Sequence, residues 1–276
     1  MPHLDINGTS LFYNDEGQGR ETLVFAHGLL FSSKMFRAQI DYFKEHYRCI
    51  SIDFKGQGQS GISSSGYDMD TLTTEVLAIL DQLNIDQFHF AGLSMGGFVG
   101  LRLAVSHPER LKSLILLNTT AWDEPKENIP KYSKLNFVAR WFGLKLVINK
   151  VMPILFADPF LTDPDRKEDR EFWKAELVSN HRIGITKAVK GVIYRNGIDQ
   201  EINKIKTPTL ILSGEFDSAT VPEYSRKMNE QIQSSEWKVI PGAGHSSTIE
   251  NPQKVIENMD GFLKNIRSSS EMQSSL

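Results

Sequence analysis

The sequence contains one cysteine, Cys49. No internal disulfide can form, and no Cys/His cluster offers a metal site. Cys49 lies in the apolar run 47–52 and reads as a buried strand residue. No uncharged apolar run approaches the ~18 residues that a membrane helix needs. The first residues, "MPHLDINGTSLFYNDEGQG", lack the apolar core of a secretory signal. A cytoplasmic protein without a membrane span is therefore expected. The glycosylation sequons at Asn7 and Asn118 then read as chance matches. Charge of one sign is also missing: 31 basic residues face 34 acidic ones, for a net −3. Nothing in that overall balance argues for a nucleic acid or an anionic membrane as partner. No internal repeat is found.

What is present is a chain of 276 residues with 40% hydrophobic content. That is enough for one large α/β domain with an insertion. Residues 3–14 read as two strands around the turn Asn7-Gly8. Strands follow at 22–27, 47–53, 88–93 and 111–118, alternating with helices at 33–45, 69–83 and 95–106. The alternation resumes with a strand at 207–214, a helix at 222–232 and a strand at 236–242. A final helix opens at Asn251-Pro252 and runs to about 267. Such alternation implies a mostly parallel sheet of about eight strands with helices on both faces. Residues 1–120 and 204–268 form this core, and 269–276 read as a disordered tail. Residues 121–203 break the pattern and read as a helical cap over the sheet edge where open α/β sheets bind ligands. Within the cap, the charge run 163–174 reads as a solvated helix face.

The stretch "FAGLSMGGFVG", residues 90–100, is the sharpest signal. It has no lysine for a phosphate loop and no register that supplies G-x-G-x-x-G. It does contain G-x-S-x-G: Gly92, Leu93, Ser94, Met95 and Gly96, between a strand and a helix. At such a turn the serine is strained and exposed, and bulky residues two positions away would collide. The hydroxyl then sits at a helix start, where N–H groups point outward and the dipole favours negative charge. The Met95 N–H is thus a candidate oxyanion donor.

A serine nucleophile needs a base, and the base needs an orienting carboxylate. Of the seven histidines, His245 alone lies in a glycine-flanked loop after the last sheet strand. Asp217 follows the strand 207–214 at the same edge and is the expected acid, ahead of Asp123 and Glu215. "AHGLL", 26–30, ends another strand there and points to Leu29 as the second oxyanion donor, with Leu30 as the fallback. His27 and Asp53 are expected to be structural. Large apolar residues of the cap, Phe137, Trp141, Phe142, Leu146, Val147 and Phe156, are candidates for an acyl pocket together with Leu30.

With these pieces in order, the chain resembles the α/β-hydrolase superfamily of serine esterases and lactonases. The resemblance rests on HGLL at 27–30, DFKGQGQS at 53–60, GLSMGG at 92–97, HPERLKSLILLNT at 107–119, EFDSATVP at 215–222 and GAGHSSTIENP at 242–252. Its pattern is most similar to 3-oxoadipate enol-lactonases, although Lys55 stands where that loop usually carries Arg. The resemblance implies a triad of Ser94, Asp217 and His245, oxyanion donors at Leu29 and Met95, no cofactor, and a small-molecule ester or lactone substrate. C–C bond hydrolysis, cofactor-free perhydrolysis and a ligand receptor with a slow triad use the same residues and remain open.

Overall fold

The computed structural model describes residues 2–274, with side chains through 268. Its eight strands are β1 (His3–Ile6), β2 (Thr9–Glu16), β3 (Thr22–Ala26), β4 (Arg48–Ile52), β5 (Phe88–Leu93), β6 (Leu111–Leu117), β7 (Thr209–Gly214) and β8 (Ser235–Ile240). They form one sheet in the order β1-β2-β4-β3-β5-β6-β7-β8. The pairs β1–β2 and β2–β4 are antiparallel, and every pair from β4 to β8 is parallel. Asn7 and Gly8 both take positive φ, as a two-residue hairpin demands. The strand expected from 207 begins at Thr209, after Pro208, which has no N–H for the ladder.

Between the strands lie α1 (Arg37–Phe43), α2 (Met69–Gln82) and α3 (Met95–Ser106). After β6 come α4 (Ile129–Phe142), α5 (Ile148–Leu155), α6 (Asp158–Thr162), α7 (Lys167–Ser179) and α8 (Arg182–Ile193). The chain closes with α9 (Pro222–Gln231), α10 (Ser247–Glu250) and α11 (Pro252–Ser274). The expected helix at 33–45 is in fact a 3-10 turn, Ser33–Phe36, leading into α1. The last helix starts where the Asn251 side chain accepts the Lys254 N–H at 3.3 Å. It continues past 267 into the segment expected to be a disordered tail, and residues 275 and 276 of that tail lie outside the described residues.

The central strands β3, β5 and β7 are buried along their whole length. Their side chains alternate between two apolar layers, as the strand period requires. Val24, Ala26, Phe90 and Ile211 join one layer with Val76, Phe98 and Met228 from α2, α3 and α9. Leu23, Phe25, Ala91 and Leu210 join the other with Ile40, Val255 and Met259 from α1 and α11. A strand buried on both faces reads as a continuous apolar run, which is why "TLVFA" and "TLILSG" carry no polar alternation. Between β6 and β7 the described residues form helices and no strand. Charged residues of the run 163–174 are mostly exposed, while Trp173 and Leu177 turn inward.

Candidate active site

Four parallel strands deliver the site at their C-terminal ends. Ser94 follows β5 with φ 51° and ψ −109°. Such a conformation in a residue other than glycine costs roughly 1–3 kcal/mol. It is held by the Ser94 N–H donating to Leu117 at 2.9 Å and by Thr119 Oγ1 donating to the Ser94 carbonyl at 2.8 Å. A Cβ at Gly92 would strike the Gly96 carbonyl, and one at Gly96 would strike the Ala26 carbonyl. The two glycines let β5 and α3 meet this closely around Ser94.

His245, in the loop after β8, places Nε2 2.9 Å from Ser94 Oγ. Its Nδ1 lies 3.0 Å from each oxygen of Asp217, three residues beyond β7. Asp217 also accepts from Asn118 Nδ2, Thr220 Oγ1 and the backbone N–H groups of Ala219 and Thr220 at 2.8–2.9 Å. Burial opposes ionisation of Asp217, but His245 and these donors outweigh it and hold its pKa below the usual carboxylate value. Burial likewise opposes the imidazolium of His245, but the Asp217 carboxylate outweighs it and raises the His245 pKa above 6.5. Glu250, also buried, accepts from Ser246 N–H at 3.0 Å and from Ala157 N–H at 2.8 Å. One carboxylate thereby ties the histidine loop to the segment that opens α6.

Met95 is the first residue of α3, so its N–H has no intrahelical acceptor. The Leu30 N–H donates to Gln57 Oε1 at 2.8 Å, and its carbonyl accepts from Asn180 at 2.6 Å. Leu29 N–H and Met95 N–H have no hydrogen-bond acceptor among the described residues. Beside Ser94 and His245 opens a cavity of about 150 Å³. Leu30, Phe98, Leu135, Val147, Val151, Ile154 and Val189 give it a largely apolar wall. Its polar members include Arg195 and Glu124, paired at 3.0 Å with both side chains nearly buried. Burial lowers the Arg195 pKa, and Glu124 works against that shift.

A family model described as alpha/beta hydrolase fold matches residues 21–146 and 156–252. This chain is a member of the alpha/beta hydrolase family. It is 30% identical over 249 residues to 3-oxoadipate enol-lactonase 1 of Acinetobacter baylyi, covering 89% of each chain. Its fold is similar to that of the enol-lactonase from Burkholderia xenovorans LB400, with TM-score 0.88 and 26% identity over 95% of this chain and 100% of that one. A thermophilic esterase from Thermogutta terrifontis matches with TM-score 0.87 and 25% identity over 94% of each chain.

In this alpha/beta hydrolase the structure brings Ser94, Asp217 and His245 together. His27 is buried, with Nδ1 2.7 Å from the Gly28 carbonyl and Nε2 accepting the Phe54 N–H at 2.9 Å. Asp53 accepts from Ser33 and Gln59 N–H groups and fixes its own loop. Lys55 forms a buried pair with Glu75 at 2.5 Å. Glu215 accepts the Gly242 N–H at 2.9 Å, and Asp123 is exposed.

The acyl-pocket expectation needs correction. Leu30 and Val147 line the cavity, but Phe137, Trp141, Phe142 and Leu146 do not. Those four are 59–66% exposed. On α4 it is Tyr132, Leu135, Asn136 and Ala139 that face the cavity. Phe156 packs on Phe31 and Phe160 instead. Asn118, Thr220, Glu250 and Gln57 were missed, because only the fold brings these polar residues to the site.

Proposed function

We propose that this hydrolase cleaves carboxylic esters or lactones with a neutral, apolar acyl part, through an acyl-enzyme on Ser94. The observation that carries this reading is the continuous line from Ser94 Oγ to His245 Nε2 at 2.9 Å and from Nδ1 to Asp217 at 3.0 Å. Ser94 Oγ attacks the acyl carbon while its proton passes to His245 Nε2. The carbonyl oxygen becomes an oxyanion received by the Leu29 and Met95 N–H groups, each such donor being worth roughly 10²–10³ in rate. Nε2 then protonates the leaving alkoxide, the C–O bond breaks, and the alcohol departs. Water gives a proton to Nε2 as its oxygen adds to the acyl carbon. The second tetrahedral intermediate collapses, Ser94 regains the proton, and the acid is released. Asp217 holds the imidazole orientation and stabilises the imidazolium throughout.

The apolar wall supports an aliphatic or aromatic acyl group. The Glu124–Arg195 pair supports a neutral one, since the guanidinium is already matched by a carboxylate. The test is hydrolysis of p-nitrophenyl esters of increasing acyl length beside simple, acyl-homoserine and enol lactones, with Ser94→Ala as control. Turnover should vanish in the variant. A variant retaining a tenth of the wild-type rate rejects the Ser94 assignment.

A further inference from the structure

We propose that the outer face of α4, with the turn after it, docks on an anionic phospholipid surface. From Asn128 to Ala157 the sequence contains no Asp or Glu. It does contain Lys131, Lys134, Arg140, Lys145 and Lys150. None of these forms an ion pair among the described residues. This segment therefore carries a net charge of +5 in a chain whose net charge is −3, so the rest of the chain sums to −8.

Helical geometry sorts the side chains. Lys131, Lys134, Val138 and Trp141 follow the i, i+3, i+7, i+10 spacing of one face. Phe137 and Phe142 flank that face, and the opposite face, with Leu135, Asn136 and Ala139, lines the cavity. Phe137 is 59% exposed, Trp141 63%, and Phe142 and Leu146 66% each. Apolar side chains of this size are normally buried, and a group of them in one place marks an interaction surface. Tyr194, also exposed, extends the patch, with its hydroxyl 3.3 Å from Ser133 Oγ. The groove at Lys145 shared with Glu171 and Lys174 carries both charge signs and forms the patch's edge.

Large apolar side chains interleaved with cations that lack a carboxylate partner match a lipid interface, although Lys131 lies 5.8 Å from the Tyr132 ring and Arg140 6.0 Å from the Trp141 ring. The rings enter the headgroup region while the lysines meet lipid phosphates. A second copy docked through the same patch would set cations against cations across a two-fold axis. A nucleic acid would satisfy the cations and leave the aliphatic Leu146 without a matching surface. Among the described residues no helix is long and apolar enough to cross a membrane, so this is contact along the surface.

Vesicle sedimentation tests the proposal without any need for turnover, so its failure and failure of the hydrolytic reading are distinguishable. The protein should pellet with phosphatidylcholine–phosphatidylglycerol vesicles, stay in solution with phosphatidylcholine alone, and be released by high salt. Lys131→Glu with Lys134→Glu should lower partitioning at least about tenfold, since each basic side chain near the surface contributes roughly fivefold. Trp141→Ala with Phe142→Ala should also lower it, while Tyr42→Ala, at an exposed ring outside the patch, should not. Circular dichroism checks that each variant folds. No binding to anionic vesicles, or binding that both double variants leave unchanged, overturns the proposal. So does a dimer dissolved by Trp141→Ala with Phe142→Ala in a protein that ignores vesicles, or a preference for oligonucleotides over vesicles.

Discussion

The side-chain amide of Asn118 donates to Asp217 Oδ2 at 2.9 Å and to the Gly244 carbonyl at 3.0 Å. One residue at the end of β6 therefore fixes both the proposed acid and the loop of the proposed base. Asn118 holds φ at 46°, and Ser247 Oγ donates to its Oδ1 at 2.5 Å. Replacing it with Leu removes these bonds without moving charge. The expected result is a fall in kcat of about 10², the effect of an ångström-scale misplacement, with little change in KM. Steady-state kinetics on a p-nitrophenyl ester checks it. An unchanged kcat would remove Asn118 from the positioning network.

The rate should depend on pH through His245, which must be neutral to accept the serine proton. Asp217 raises its pKa above 6.5, so the acid limb of kcat/KM should have its midpoint above 6.5. Asp217→Asn should lower that midpoint and cut kcat by about 10⁴. The sign for stability follows from the same shift. A histidine pKa raised by folding contributes stability below 6.5 that is lost as pH rises through the folded value. A midpoint below 6.5 in the wild-type protein would show that burial of His245 outweighs the Asp217 carboxylate.

Glu124 sets the charge of the cavity by pairing with Arg195. Glu124→Gln leaves the guanidinium without its carboxylate partner beside the proposed acyl site. Esters with a terminal acyl carboxylate should then gain at least about tenfold in kcat/KM relative to neutral esters of equal length, the effect of one charge-assisted contact. The neutral ester serves as the control for a folded enzyme. If the ratio stays at its wild-type value, Glu124 does not control substrate charge.

The inner face of the insertion, rather than its largest aromatics, should control acyl length. Val189→Phe intrudes on the cavity and should shift the optimum to shorter acyl chains. Phe137→Ser, on the exposed side, should leave the optimum unchanged and alter stability by no more than about 0.5 kcal/mol. Phe156→Ala, in the buried ring cluster, should cost about 3–5 kcal/mol. Acyl-length profiles and urea unfolding separate the three. An unshifted optimum in Val189→Phe would place the acyl group elsewhere.

Much of this protein was legible locally. The turn around Ser94 announces itself because Gly92 and Gly96 must both lack side chains within five consecutive residues. The buried strands announce themselves as apolar runs, and Asp217 and His245 follow from their loops after β7 and β8. These features depend on backbone conformation and period, which neighbouring residues encode. The wall of the cavity was not legible. Residue size favoured Phe137 and Trp141, but helix packing turned Leu135 and Ala139 inward and left the larger rings in solvent. Asn118 and Asp217 stand 99 positions apart and meet because β6 and β7 are adjacent and parallel. The sequence by itself determined the strands, the strained serine and the order of the proposed triad. Only tertiary structure decided which side chains line the site, because a helix presents several faces and long-range packing alone selects the one that turns inward.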